Sequence, residues 1–147
     1  MKLTEADKSW VTLWVEGYKD GKETVPFRLK ELSYGLHPDQ EAEGPMGFGI
    51  INPQFENVSF FFYSPDVSTP PQLVENILER GGASTWDYAI GHEEVGLESG
   101  ETKVLGVYQQ SGNSLRTYDY QDSNEITKMI NENKTVLLLK IKVERRN

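Results

Sequence analysis

Carboxylates and two histidines are the residues with the widest chemical scope. His37 and His92 lie in separate loops, the first near Asp39, the second beside Glu93 and Glu94. A mononuclear metal needs three or four nitrogen or oxygen ligands that converge. These residues meet that need only if the fold joins the two loops. Neither histidine has a second histidine one helical turn away, so solvated loop histidines are expected and no metal site is assigned. Ser84, Asp87 and His92 supply the residue types of a Ser–His–Asp set, but no G-x-S-x-G elbow accompanies them. Glu93 or Glu94, paired with Glu41 or Glu43, would do acid–base work on a glycosidic bond if held at the right separation. Surface acids are the ordinary reading of such residues. The run Gly44–Gly49 lacks the Lys-Ser/Thr of a phosphate loop and the Rossmann glycine spacing. No alternating acid pattern ending in glycine marks a calcium loop. With no cysteine in the chain, disulfides, zinc fingers, iron–sulfur clusters and thiol nucleophiles are excluded. The expectation is a protein without catalytic residues or a cofactor.

What does stand out is charge placement. Between Glu31 and Glu101 there are thirteen carboxylates and one basic residue, Arg80. The remainder of the chain carries a slight basic excess, and the total is −8. That sign opposes binding to nucleic acid or to anionic membranes and favours a cationic partner. Dense carboxylates imitate a phosphate array and raise the on-rate toward an Arg/Lys-lined groove. The first functional expectation is therefore a non-enzymatic acidic protein that engages a basic protein surface. Immunity-type and phage-type antagonists of nucleic-acid-binding proteins work by this logic. The candidate contacts are Asp39, Glu41, Glu43, Asp87, Glu93, Glu94 and Glu98, with Trp86 or Tyr34 as anchor.

Trp86 and Tyr88 close to Glu93 support a second expectation: a small-molecule site in which aromatics and a carboxylate hold a ligand, for example an organic cation. Against it, two alternating aromatics on a strand are ordinarily core. The segment Asp87–Gly91, followed by Ser99–Glu101 leading into Lys103–Gln109, is similar to a stretch of the GyrI-like effector-binding domains. That resemblance implies binding of small, often cationic, molecules by aromatics and an acid. It covers a short part of the chain. The family's long second-half helix and later acid-bearing strand have no counterpart between Tyr120 and Val143, so no residue roles are carried over. A third expectation, a structural or assembly subunit, rests on the two-sided strand Trp10–Tyr18.

Positioning these residues falls to one expected domain, residues 1–147. Strands are predicted at Trp10–Tyr18, Thr24–Leu32, Met46–Ile51, Val58–Tyr63, Thr85–Ile90, Lys103–Gln109, Leu115–Tyr120 and Thr135–Glu144 from alternation and turn signals. Asp20-Gly21 is a hairpin signal, and Pro26 marks its returning strand as an edge. Alternate glycines at Gly47 and Gly49 make room for another protein layer. Thr69, Pro70 and Gln72 form a capping pattern that opens a helix over Pro70–Arg80. Asp122 and Glu125 open a second, which buries Ile126, Met129 and Ile130. The fold class is α+β: a largely antiparallel sheet of about seven to eight strands with two short amphipathic helices on one face. The charged start Met1–Asp7 argues against a signal peptide, and no apolar run approaches the ~20 residues of a membrane span. A cytoplasmic protein is expected.

Overall fold

The computed structural model describes residues 2–36, 39–51, 57–64, 67–69, 72–75, 83–90, 96–111 and 116–146. A short pair, β1 (Lys2–Leu3), precedes a 3-10 turn at Ala6–Lys8. Next come the two long strands β2 (Ser9–Lys19) and β3 (Lys22–Gly35). They are joined at Asp20-Gly21, with φ of 52° and 80°. Two consecutive positive φ values match the right-handed strand twist, which is why Asp-Gly makes tight hairpins. After these run β4 (Ala42–Glu43), β5 (Gly47–Ile51), β6 (Asn57–Ser64), β7 (Val67–Ser68) and β8 (Gln72–Glu75). The second half contributes β9 (Ala83–Tyr88), β10 (Thr102–Ser111), α1 (Ser123–Glu132) and β11 (Thr135–Arg145).

Every strand pairing is antiparallel. Five strands form the main sheet in the order β3-β2-β11-β10-β9. β5, β6, β7 and β8 form a second sheet around β6, and β1 pairs with β4. The molecule is thus a mostly β, α+β fold. The expected single sheet of seven to eight strands is instead divided among three sheets. Its two helices are reduced to one α-helix among the described residues.

Two predicted elements differ for the same reason: what a strand edge offers overrides local propensity. The expected helix over Pro70–Arg80 is replaced at Gln72–Glu75 by β8, which pairs with Asn57–Phe60 of β6. The rest of that span, 70–71 and 76–80, lies outside the described residues. Thr69, expected as its cap, instead accepts from the Phe62 amide through Oγ1 at 2.9 Å. Its own amide donates to the Phe62 carbonyl at 3.0 Å. The Leu115–Tyr120 strand is also not formed at Arg116–Tyr120, and 112–115 lie outside the described residues. Its presumed partner β10 already has β11 on one edge and β9 on the other. Tyr118 and Tyr120 turn inward instead and pack beneath α1.

The main sheet is covered on both sides. Val15, Leu137 and Leu139 meet Phe60 and Phe62 of the second sheet, with Phe48 and Ile50 packed against them. On the other side Val107, Val136 and Leu138 meet Met129, Tyr118 and Tyr120, flanked by Ile126 and Ile130. The Asp122 side chain caps α1, accepting from the Asn124 amide at 2.9 Å. Its far end is held by Asn133, whose Nδ2 donates to the Met129 carbonyl at 2.8 Å. At Gly47 and Gly49 the expected extra layer is the neighbouring strand's own side chains. Tyr63 and Phe61 lie across the glycines they pair with, closer than a Cβ would tolerate. No helix among the described residues is long and apolar enough to cross a membrane.

Leu137 and Leu138 are both fully buried, on opposite faces of β11. Leu137→Ala and Leu138→Ala should each lower the unfolding free energy in urea by about 2–5 kcal/mol. Lys128→Ala, on the exposed side of α1, should stay within about 0.5 kcal/mol of the parent. A small loss at either leucine would show that its face is not packed as described.

Candidate functional site

The row Leu139, Ile141 and Val143 on β11 runs past the end of the second sheet's cover and forms one wall of a cleft of about 880 Å³. β10 and β9 extend that wall. Between Val104 and Gly106 the β10–β11 register shifts. A bulge of this kind re-aims side chains, and Leu105 and Gly106 both line the cleft. A Cβ on Gly106 would come within 2.9 Å of the Trp86 ring, so the glycine lets that indole lie against the backbone. Trp86 sits between Phe48 and Tyr108, with ring centroids 6.0 and 6.4 Å away. It still keeps 36% of its surface exposed, and Tyr88 at the rim keeps 73%. These are not core aromatics: they present ring surface to the cleft.

The opposite side is built from both ends of the chain. Lys2, Leu3 and Glu5 line it, with Arg145 from the end of β11. Backbone bonds tie this rim together: Ala6 N–H to Gln40 O at 2.8 Å and Gly100 N–H to Val143 O at 2.8 Å. The Arg145 amide donates to Ser99 Oγ at 3.0 Å. Among the described lining residues the charged ones are Lys2, Lys103, Arg145 and Glu5. The Arg145 guanidinium meets Glu5 at 3.4 Å. Lys103 meets Glu101 at 3.5 Å and the Gly96 carbonyl at 3.5 Å. Glu101 also accepts from the Glu98 amide, and this bond with Lys103 beside it holds the Glu101 carboxyl below its ordinary range.

Strand alternation separates the residues that sequence adjacency had grouped. Trp86 and Tyr88 face the cleft, opposite Tyr108 and Gly106. Asp87 points to the other side of the sheet, opposite Val107. There it accepts from the Tyr120 hydroxyl at 2.7 Å. Tyr120 in turn accepts from Gln109 Nε2 at 3.2 Å. Asp87 is therefore a hydrogen-bond acceptor for Tyr120 on the face of the sheet opposite the cleft. Of the other expected contacts, Asp39, Glu41, Glu43 and Glu98 are exposed. Glu43 stands opposite Lys2 in the β1–β4 pair. Glu98 falls between the lining residues Leu97 and Ser99. Glu93, Glu94, His37 and His92 lie outside the described residues, and Tyr34 packs beside Val11 and Leu13. Among the described residues no three His, Asp or Glu side chains gather as a metal set.

A further polar cluster escaped sequence reading. Glu16 is only 7% exposed. It accepts from Trp14 Nε1 at 2.9 Å and Tyr18 OH at 3.3 Å, and pairs with Lys140 Nζ at 2.8 Å. Its position between Trp14 and Tyr18 on the aromatic side of β2 was the available signal. No family model, curated protein or solved structure matches the chain.

The Tyr120 hydroxyl is pushed up from 10.0 to about 12, by burial first and by Asp87 second. Tyr118 is raised by burial and by Glu132, to which it donates at 2.6 Å. The fold favours the protonated phenols, so their contribution is complete below their ordinary pKa and is lost as pH rises through the folded value. The melting temperature should fall across about pH 10–12, the window between those two values. Tyr120→Phe should cost about 1–3 kcal/mol at neutral pH and make that alkaline fall shallower. Equal pH profiles for parent and variant would show that this pair does not carry the effect.

Proposed function

We propose that the chain is a non-enzymatic small-molecule-binding module that holds its ligand in the cleft between β9, β10, β11 and β5. One observation carries this reading: an opening of about 880 Å³ in which Trp86 and Tyr88 present uncovered ring surface over an apolar floor. Ligand sites are concave, roughly 300–1,000 Å³, mostly apolar, with a few polar groups that orient the guest. Leu139, Ile141 and Val143 fit the apolar part, and the charged rim fits the orienting part.

A second reading keeps the acidic surface as a contact for a basic protein. It is supported by the exposed run Asp39, Glu41 and Glu43, which leads into β4. If the chain works this way, Asp39→Asn, Glu41→Gln and Glu43→Gln combined should weaken capture of a basic partner and flatten its salt dependence. Under the cleft reading the same triple variant leaves ligand binding unchanged.

Trp86 is also a built-in reporter. Trp14 lies on the other side of the sheet and is buried beneath Arg28, 4.3 Å from its ring centroid. Trp10 is covered by Arg146 at 4.5 Å. A ligand in the cleft should quench Trp86 fluorescence and raise the melting temperature. Trp86→Phe should remove the quench and keep most of the thermal shift. Tyr88→Ala, at an exposed rim position that the fold does not need, should weaken binding by about tenfold or less. Asp87→Asn should leave affinity unchanged. Loss of binding in Asp87→Asn with none in Tyr88→Ala would place the site on the wrong side of the sheet.

A further inference from the structure

Resting on the cleft reading, we propose that the ligand is an anion with an aromatic or extended apolar body, a carboxylate or sulfonate held at the Lys103–Arg145 side. The sign comes from the walls, not from the chain as a whole. Among the described lining residues Lys2, Lys103 and Arg145 are cationic, and Glu5 is the one carboxylate. Glu43 and Glu101 stand near Lys2 and Lys103 but do not line the cleft. The chain's net charge is −8, and among the described acids Glu31, Asp39, Glu41, Glu43 and Glu98 are exposed and do not line the cleft. Solvent screens those over a Debye length of about 8 Å at physiological salt.

The cations keep donor capacity for a guest. Among the described residues the Lys103 ammonium meets Glu101 and the Gly96 carbonyl, each at 3.5 Å. A charge-assisted bond at full strength is about 2.7–2.9 Å. Arg145 touches Glu5 through one nitrogen at 3.4 Å, with both side chains about half exposed, while a guanidinium has five N–H donors in a planar fork. The Arg145–Glu5 pair is exposed and of a kind that holds its partner weakly, and the Lys103–Glu101 contact is long, so an incoming acid group can compete for both. Lys103 and Arg145 also project to the same side. Lys103 pairs with Ile141, and Arg145 follows Ile141 and Val143 on one face of β11.

The rest of the cleft limits the body of the guest. Leu139, Ile141 and Val143 offer no hydrogen bond, so polar groups set against them would be left unsatisfied. Trp86, tilted at 36° to Phe48, offers an apolar ring surface beside them. A ligand with an acid at one end and a ring or chain at the other satisfies both parts. A cationic ligand would bring like charge against three cations.

Three matched probes decide it: 2-naphthoate, 2-naphthalenemethanol and 2-naphthylmethylammonium, titrated against Trp86 fluorescence and checked by calorimetry. The proposal expects 2-naphthoate to bind about tenfold or more tighter than the alcohol, with the ammonium weakest. Lys103→Gln and Arg145→Gln should each weaken 2-naphthoate by about three- to tenfold and leave the alcohol unchanged. If the alcohol or the ammonium binds as tightly as the acid, the anion assignment is wrong while the cleft remains a ligand site. If both substitutions leave 2-naphthoate unaffected, the acid group is not held where it is placed here. If none of the three probes binds, the cleft reading itself fails along with the inference built on it.

Discussion

Burial of β11 on both faces is the constraint that organises this molecule. The strand lies at the centre of the five-stranded sheet, between β2 and β10. Val136 and Leu138 fill one side and Leu137, Leu139 and Ile141 the other, all nearly or fully buried. A strand with two apolar faces needs two covers. The second sheet supplies one through Phe60 and Phe62, and α1 with Tyr118 and Tyr120 supplies the other. Neither cover is as long as β11. Where each stops, the chain makes a different polar arrangement, and those two places hold the distinctive chemistry of the protein.

On the α1 side, the sheet beyond the helix is closed by Glu16, Lys140 and Trp14, with Arg28 lying over the indole. A carboxylate this buried is tolerable only when its lone pairs are taken, and here three donors take them. Removing one partner of such a pair strands the other, which typically costs about 3–5 kcal/mol. Burial, then Glu16, also hold the Tyr18 hydroxyl well above its ordinary range. The cluster is thus a polar plug that lets an apolar strand continue under incomplete cover. On the opposite side no such plug is present among the described residues. Leu139, Ile141 and Val143 open into the cleft instead.

Much of this was legible where the signal is local and periodic. The alternation of β2 and β11, the Asp20-Gly21 hairpin and the amphipathic stripe of α1 all emerge as read. The departures come from long-range competition for strand edges. A capping pattern at Thr69–Gln72 speaks for a helix, but β6 has an edge free, and Gln72–Glu75 takes it. The aromatics of the cleft were visible as Trp86 and Tyr88. Asp87 lies between them in sequence but faces the other way, because a strand has a period of two. Lys2, Lys103 and Arg145 were not legible as a group. They come from the first strand, the tenth and the last, and only the pairing order brings them to one opening.

Cations among the described lining residues of an acidic chain are consistent with how charge is distributed along such a sheet. Of the carboxylates between Glu31 and Glu101, Glu31, Asp39, Glu41, Glu43 and Glu98 are exposed to solvent, where a charge keeps its hydration. Of the strands around the cleft, β5 and β9 come from the acidic stretch, while β1, β10 and β11 come from its flanks and carry Lys2, Lys103 and Arg145. Long basic side chains suit that position for a physical reason. Their methylene stems cover apolar wall while their heads stay in water at the rim. Glutamate has a shorter stem and cannot do both as well. Among the described lining residues the cations outnumber the carboxylates three to one, so the charge along this mouth differs in sign from the net charge of the chain.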